Sequence, residues 1–198
     1  MAVRFAKRDT GFVVGSAGAV LRTTDGGSTW QKQNVTAAVL RGVAFAGARE
    51  GWAVGDNGEI FGTVDAGVTW TRVQPAITGF SLRAVSRHST GDAWAVGVQG
   101  AAPRTTLVSG AGVWQNGNAG ALNDMEGVHF PGDPLVGYAV GLNASGLILK
   151  SEDGGLGWTR QVSNTGRRLN DVYFVDRLRG WAVGDVGTIV HTSLGGVR

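Results

Sequence analysis

Short apolar stretches alternate with polar turns along this chain, and the stretches return at a near-constant interval. A five-residue block occurs five times: Gly11-Phe-Val-Val-Gly15, Gly51-Trp-Ala-Val-Gly55, Ala93-Trp-Ala-Val-Gly97, Gly137-Tyr-Ala-Val-Gly141 and Gly180-Trp-Ala-Val-Gly184. Its closing glycines lie 40, 42, 44 and 43 residues apart. A period of that length fits either paired helices or a propeller blade, and the pattern inside the repeat decides. A strand signal precedes each block: Val3-Arg-Phe5, Val43-Ala-Phe45, Val85-Ser-Arg87, Val128-His-Phe130 and Val172-Tyr-Phe174. A three-residue turn follows it, ending at Gly18, Gly58, Gly100 or Gly187, with a longer version ending at Gly146. Then comes a third strand, as in Ala19–Arg22 or Thr188–His191, and a fourth that starts at Trp30, Trp70, Trp114 or Trp158. Runs of four to six β-branched or aromatic residues between glycines leave no room for helices. Four antiparallel strands per repeat make a propeller blade.

The strand count predicts one all-β domain over residues 1–198. It is a five-bladed β-propeller of four-stranded blades whose last blade lacks its outer strand. The repeats fall at about 1–34, 35–75, 76–118, 119–162 and 163–198. The expected arrangement is a monomer whose ring closes by packing blade five on blade one. The alternative is an oligomer or larger array, joined through the open outer edge of blade five.

Between strands three and four lies the most specific motif. It reads Thr23-x-Asp25-x-Gly27-x-Thr29-Trp30 in blade one and Thr63-x-Asp65-x-Gly67-x-Thr69-Trp70 in blade two. Blade four has Ser151-x-Asp153-x-Gly155-x-Gly157-Trp158. Leu107 and Leu194 stand at the Asp position in blades three and five. A carboxylate here can accept bonds from its own turn, Gly supplies positive φ, and Thr or Ser adds a local hydroxyl bond. The Trp that follows has a large face to bury between neighbouring sheets. Because the copies recur once per blade and do not converge, these Asp, Gly and Trp residues are expected to be structural.

This motif resembles the Asp-box, or bacterial neuraminidase repeat, of one group of propellers. Its pairing with Gly-Trp-Ala-Val-Gly-Asp-x-Gly, best seen at Gly51–Gly58 with Thr63–Trp70 and at Gly180–Gly187, is similar to the photosystem II stability and assembly factor family. The resemblance implies a non-enzymatic scaffold that aids assembly of another protein. It also implies an extracytoplasmic setting, although Met1–Phe12 lacks the apolar stretch of a secretory signal.

Composition removes several function classes. With no Cys there is neither a disulfide framework nor a thiolate metal site. No apolar run approaches a membrane span. A formal charge of +3, with the arginines scattered, gives no nucleic-acid footprint. His88, His129 and His191 fall in three blades and read as isolated surface or edge residues, so no metal and no cofactor is expected. A sialidase-like glycosidase needs a Tyr nucleophile and paired carboxylates. The two tyrosines occupy repeat positions, and the few Glu residues (Glu50, Glu59, Glu126 and Glu152) have no repeated acidic neighbour. The chain is therefore expected not to be an enzyme.

What remains is a binding surface. On the face that joins one blade to the next, Arg41 and Arg83 hold equivalent positions just before strand one, where blades four and five carry Glu126 and Asn170. Arg167 and Arg168 add to this face, as do Asp56 and Asp185 from the short hairpins. The mixture suits an acidic or carboxylate-bearing protein partner. A lectin-like, glycan-binding propeller is the alternative, weakened by Trp residues that sit at positions expected to be buried. The long segment Gln115–Met125 after blade three is the other place where the repeat breaks.

Overall fold

Each sequence repeat becomes an antiparallel sheet in the computed structural model, which describes residues 1–73, 77–88, 90–102, 104–106, 113–115, 119 and 123–196. The first sheet contains β1 (Ala2–Phe5), β2 (Gly11–Val14), β3 (Ala19–Thr23) and β4 (Gln31–Asn34). The second contains β5 (Leu40–Ala46), β6 (Glu50–Gly55), β7 (Ile60–Thr63) and β8 (Thr71–Arg72). The third contains β9 (Leu82–Arg87), β10 (Ala93–Gly97), β11 (Arg104–Thr106) and β12 (Val113–Gln115). In the fourth are β13 (Asp124–His129), β14 (Gly137–Asn143), β15 (Ser145–Ser151) and β16 (Thr159–Gln161). The last has β17 (Leu169–Phe174), β18 (Gly180–Gly184) and β19 (Ile189–Thr192). Strands pair in chain order within every sheet. The chain is thus an all-β propeller chain with four complete four-stranded blades. The fifth unit, expected as a blade, has three strands among the described residues.

Strands two and three are joined by a tight three-residue turn, as at Asp56–Gly58. The final Gly was marked by the sequence, but the residue before it is also left-handed: Ala17, Asn57, Gln99 and Val186 have φ of 51°, 59°, 55° and 58°. At Gly58 the requirement is double, because a Cβ there would lie 1.8 Å from the Thr78 carbonyl oxygen. In the fourth sheet the longer turn expected to end at Gly146 is absent. The β14 and β15 ladders continue until Asn143 faces Ser145, with Ala144 alone at the apex.

Blades are joined by aromatic stacks placed once per repeat. Phe45 lies flat on Phe12 of the preceding blade (4.0 Å, 13°), Phe130 on Trp94 (3.7 Å, 8°) and Phe174 on Tyr138 (3.6 Å, 6°). Between the second and third sheets Arg87 takes the Phe position; its buried guanidinium bonds Glu50 at 2.5 Å. Four buried clusters result, one for each junction between successive sheets.

Among the described residues the expected packing of the last blade on the first is not formed. Val3 and Phe5, at the repeat positions of Val43 and Phe45, are 63% and 45% exposed, whereas Val43 is 6% exposed. Trp181 is 45% exposed where its counterparts Trp52 and Trp94 are buried. Its burial depends on a neighbouring sheet, and none lies on it among the described residues.

Candidate functional site

The Asp-box turns are closed on themselves. In the first, Thr23 Oγ1 donates to Asp25 Oδ1 at 2.7 Å and accepts from the backbone N–H of Asp25 and of Gly27. Asp25 also accepts from the Thr29 N–H (2.9 Å) and from Thr29 Oγ1 (2.6 Å). The Thr63–Asp65–Thr69 turn repeats this set, and Ser151–Asp153–Gly157 keeps it without the second hydroxyl. The Thr29 hydroxyl and N–H hold the Asp25 carboxyl far below the usual range, and those of Thr69 bring Asp65 down to about 2. For Asp153, burial works upward but the Gly157 N–H and the Ser151 hydroxyl bring it down overall.

The turns of the second and fourth sheets are also gripped by the blade before them. Arg22 Nε donates to the Ala66 carbonyl (2.7 Å), Gln33 Nε2 to Gly67 (2.8 Å) and Trp94 Nε1 to Gly154 (2.7 Å). Trp70 stands edge-on to both Phe12 and Phe45, and Trp158 edge-on to Phe130. In the last sheet Thr192 Oγ1 still accepts from the N–H groups of Leu194 and Gly196, although no carboxylate completes the turn.

The arginine face has a structural cause that the sequence pattern did not show. Arg41, Arg83, Glu126 and Asn170 lie within the inner strands, not before them. In each case the ladder skips one residue: Leu40 pairs Gly55 and Gly42 pairs Val54, and the same shift occurs at Leu82/Ala84, Met125/Gly127 and Leu169/Asp171. A β-bulge leaves its extra residue unpaired and re-aims the side chain. Four successive sheets therefore present one bulged polar residue each on the same face.

Where the hairpin of the same blade carries Asp, the bulged residue bonds to it. Arg41 grips Asp56 with two bonds of 2.5 and 2.9 Å, and Asn170 Nδ2 donates to Asp185 at 2.8 Å. The third sheet has Val98 at that position, so Arg83 crosses to the next blade and pairs with Glu126, with Asp124 at 3.9 Å. Arg168, entering the last sheet, also donates to Glu126 at 2.6 Å. Glu126, which sequence reasoning treated as an interruption of the arginines, is thus their shared anchor. The Asp56 contact raises the Arg41 pKa, and Arg41 lowers that of Asp56. Burial, then the charges of Arg168 and Arg41, lowers that of Arg83 against the pull of Asp124. Arg167 is exposed, and no acidic group pairs with it among the described residues.

Other candidate chemistry disperses. No group of three or more His, Asp or Glu side chains capable of holding a metal occurs among the described residues. Tyr138 is buried, its hydroxyl bonded to the Arg177 and Gly195 carbonyls, and burial pushes its pKa up to about 12. His129, read from the sequence as an isolated surface or edge residue, is half-buried. It stacks on Tyr173, its Nδ1 accepts the Phe174 N–H at 3.1 Å, and burial holds it down to about 4. The altered Asp-box at Leu107 and residues 116–118 and 120–122 of the segment after blade three lie outside the described residues. Among the described residues no helix is long and apolar enough to cross a membrane.

Residues 1–79 match the family model described as photosynthesis system II assembly factor YCF48. No curated protein matches the sequence. Among solved structures, YCF48 bound to D1 peptide is 26% identical with a TM-score of 0.73; the match covers 96% of this chain and 62% of that one. YCF48 from Cyanidioschyzon merolae is 19% identical, with a TM-score of 0.56 over 98% and 81% of the two chains. The GH74 xyloglucanase from Xanthomonas campestris, 13% identical with a TM-score of 0.72 over 94% and 35%, shares the fold alone. The chain therefore spans about three fifths of the length of the D1-bound YCF48. It is an Asp-box β-propeller chain similar to the photosystem II assembly factor YCF48 family.

Proposed function

We propose that this chain is a non-enzymatic protein-interaction scaffold of assembly-factor type, its last sheet being a fifth blade without an outer strand. In this reading the bulge face receives an acidic or carboxylate-bearing segment of a protein partner. One observation carries it. Arg83 and Arg168, from two different sheets, share the single carboxylate of Glu126, and the adjacent Arg167 has no acidic partner among the described residues. A guanidinium offers five donors in a planar fork. Two such groups around one carboxylate, with an unpaired guanidinium one residue along the chain at Arg167, retain donors for a second carboxylate, which they can bind bidentately. The similarity to a YCF48 bound to D1 peptide supports a peptide-sized protein ligand. Trp52, Trp94 and Trp114 are buried, so they offer no stacking platform to a sugar.

The D1 peptide is the natural probe. In isothermal titration it should bind saturably and weaken with added salt, as charge-assisted contacts on an exposed face do. Arg167→Glu, and Arg83→Gln with Arg168→Gln, should each weaken it by about tenfold, which is ~1.4 kcal/mol. Unchanged affinity in variants that keep the wild-type thermal midpoint would remove the proposed site.

A further inference from the structure

Glu126 is the odd member of the bulge series. At this position the second, third and last sheets carry Arg41, Arg83 and Asn170, all hydrogen-bond donors, and the fourth carries a carboxylate. Elsewhere on the face the acceptor comes from the hairpin, as Asp56 does for Arg41 and Asp185 for Asn170. Here an acid stands within the row of donors, with a cation on either side. Arg83 reaches it from the blade before, and Arg168 from the segment entering the last sheet.

These two contacts differ in kind from Arg41–Asp56. Arg41 engages both Asp56 oxygens, through Nε and Nη2. Arg83 and Arg168 each donate through Nη1 alone, and both to the same oxygen, Glu126 Oε1. The bidentate fork is the stronger arrangement, so Glu126 gives each arginine less than a carboxylate can give. Its side chain is also the least exposed of the three, at 15% against 25% and 35%. The remaining donors of each fork can take a further carboxylate singly. The point where both guanidiniums converge is already taken.

We propose that Glu126 is an internal competitor: a partner's carboxylate engages Arg83 and Arg168 together only by taking the place of its carboxylate. This rests on the reading of the face given above and adds its regulation. Binding is then an exchange of one carboxylate for another, which leaves the count of charge-assisted bonds nearly unchanged. The displaced Glu126 also stays close to the incoming charge, and like charges brought together are costly. One side chain of the free chain thus holds its affinity down.

The test is Glu126→Gln, which keeps an acceptor oxygen for both arginines and removes the charge. The probe is acetylated and amidated Gly-Glu-Gly-Glu-Gly, titrated into the full chain while the Nε–Hε NMR signals of Arg83 and Arg168 are followed. The same peptide with Gln for Glu is the blank. Glu126→Gln should bind about tenfold tighter than the wild-type chain. Asp185→Asn removes an equal charge from the same face, where Asn170 and no arginine bonds that carboxylate among the described residues. It should change affinity by less than about twofold, as a charge outside the contact does. In the wild-type chain the Glu126 Cδ signal should itself move on saturation, because its carboxylate is released. Equal or weaker binding by Glu126→Gln, or an equal gain from Asp185→Asn, overturns the proposal; if the wild-type arginine signals respond, the reading of the face survives it. An unmoved Glu126 signal at saturation overturns it whatever Glu126→Gln does to folding. Arginine signals that stay still in both chains overturn the proposal and the reading together.

Discussion

Tyr138 and Phe174 lie face to face, 3.6 Å apart and 6° from parallel, and this contact joins the last sheet to the blade before it. The same Phe position in the first sheet, Phe5, makes no such stack and is half exposed. Burial therefore sets different costs at equivalent repeat positions. Phe174→Ala should destabilise the chain by about 3–5 kcal/mol, as large-to-small core changes do. Phe5→Ala should cost roughly 1 kcal/mol or less. Guanidinium unfolding of both variants checks this; equal costs would mean that Phe5 is packed in solution, as ring closure requires.

The Asp-box hydroxyl is a buried hub. Thr63 Oγ1 accepts from the Gly67 N–H at 2.9 Å while donating to Asp65. Thr63→Val keeps the shape but strands that N–H, at a cost of about 1–3 kcal/mol. Thr192→Val in the last sheet should cost less, because its turn has no carboxylate to lose. Urea midpoints of the two variants provide the comparison.

His129 should make stability fall in mild acid. Its imidazole is held at about 4 in the folded chain against 6.5 in the unfolded one, by burial and by the Arg4 charge. Between these values the unfolded chain binds the extra proton, so stability is intact above pH ~6.5 and is lost as pH falls toward 4. Protonation also removes the acceptor for the Phe174 N–H. From pH 7 to pH 5 the loss attributable to this group is roughly 2 kcal/mol. His129→Gln should flatten the unfolding free energy over that interval; an unchanged slope would show that His129 is not the group responsible.

Val186 holds φ 58° at the tip of the last hairpin, where the second sheet has Asn57 at 59°. A β-branched residue is poorly suited to the left-handed region and Asn tolerates it. Val186→Asn should raise stability by about 0.5–1 kcal/mol, seen as a higher thermal midpoint.

The repeat and the strand order were readable because each is local. Gly-Trp-Ala-Val-Gly and Thr-x-Asp-x-Gly set strand and turn by spacing alone, whereas the Phe two residues past Val3, Val43, Val128 and Val172 marked only a strand, and the structure shows which of them stack. The bulges were not readable. Arg41 and Glu126 look like ordinary strand entries until the pairing of Leu40 with Gly55, and of Gly42 with Val54, shows that one residue has been skipped. Nor could spacing reveal that Arg83, facing Val98 in its own blade, would cross to Glu126.

By itself, then, the sequence determined the all-β repeat and its closed Asp-box turns, since these follow from residues within one blade. Only the tertiary structure decided which arginines share a carboxylate, that His129 is half-buried with its pKa lowered by burial, and that Phe5 and Trp181 stay uncovered. Those properties depend on register and on the sheet next door, and no period in the chain encodes either.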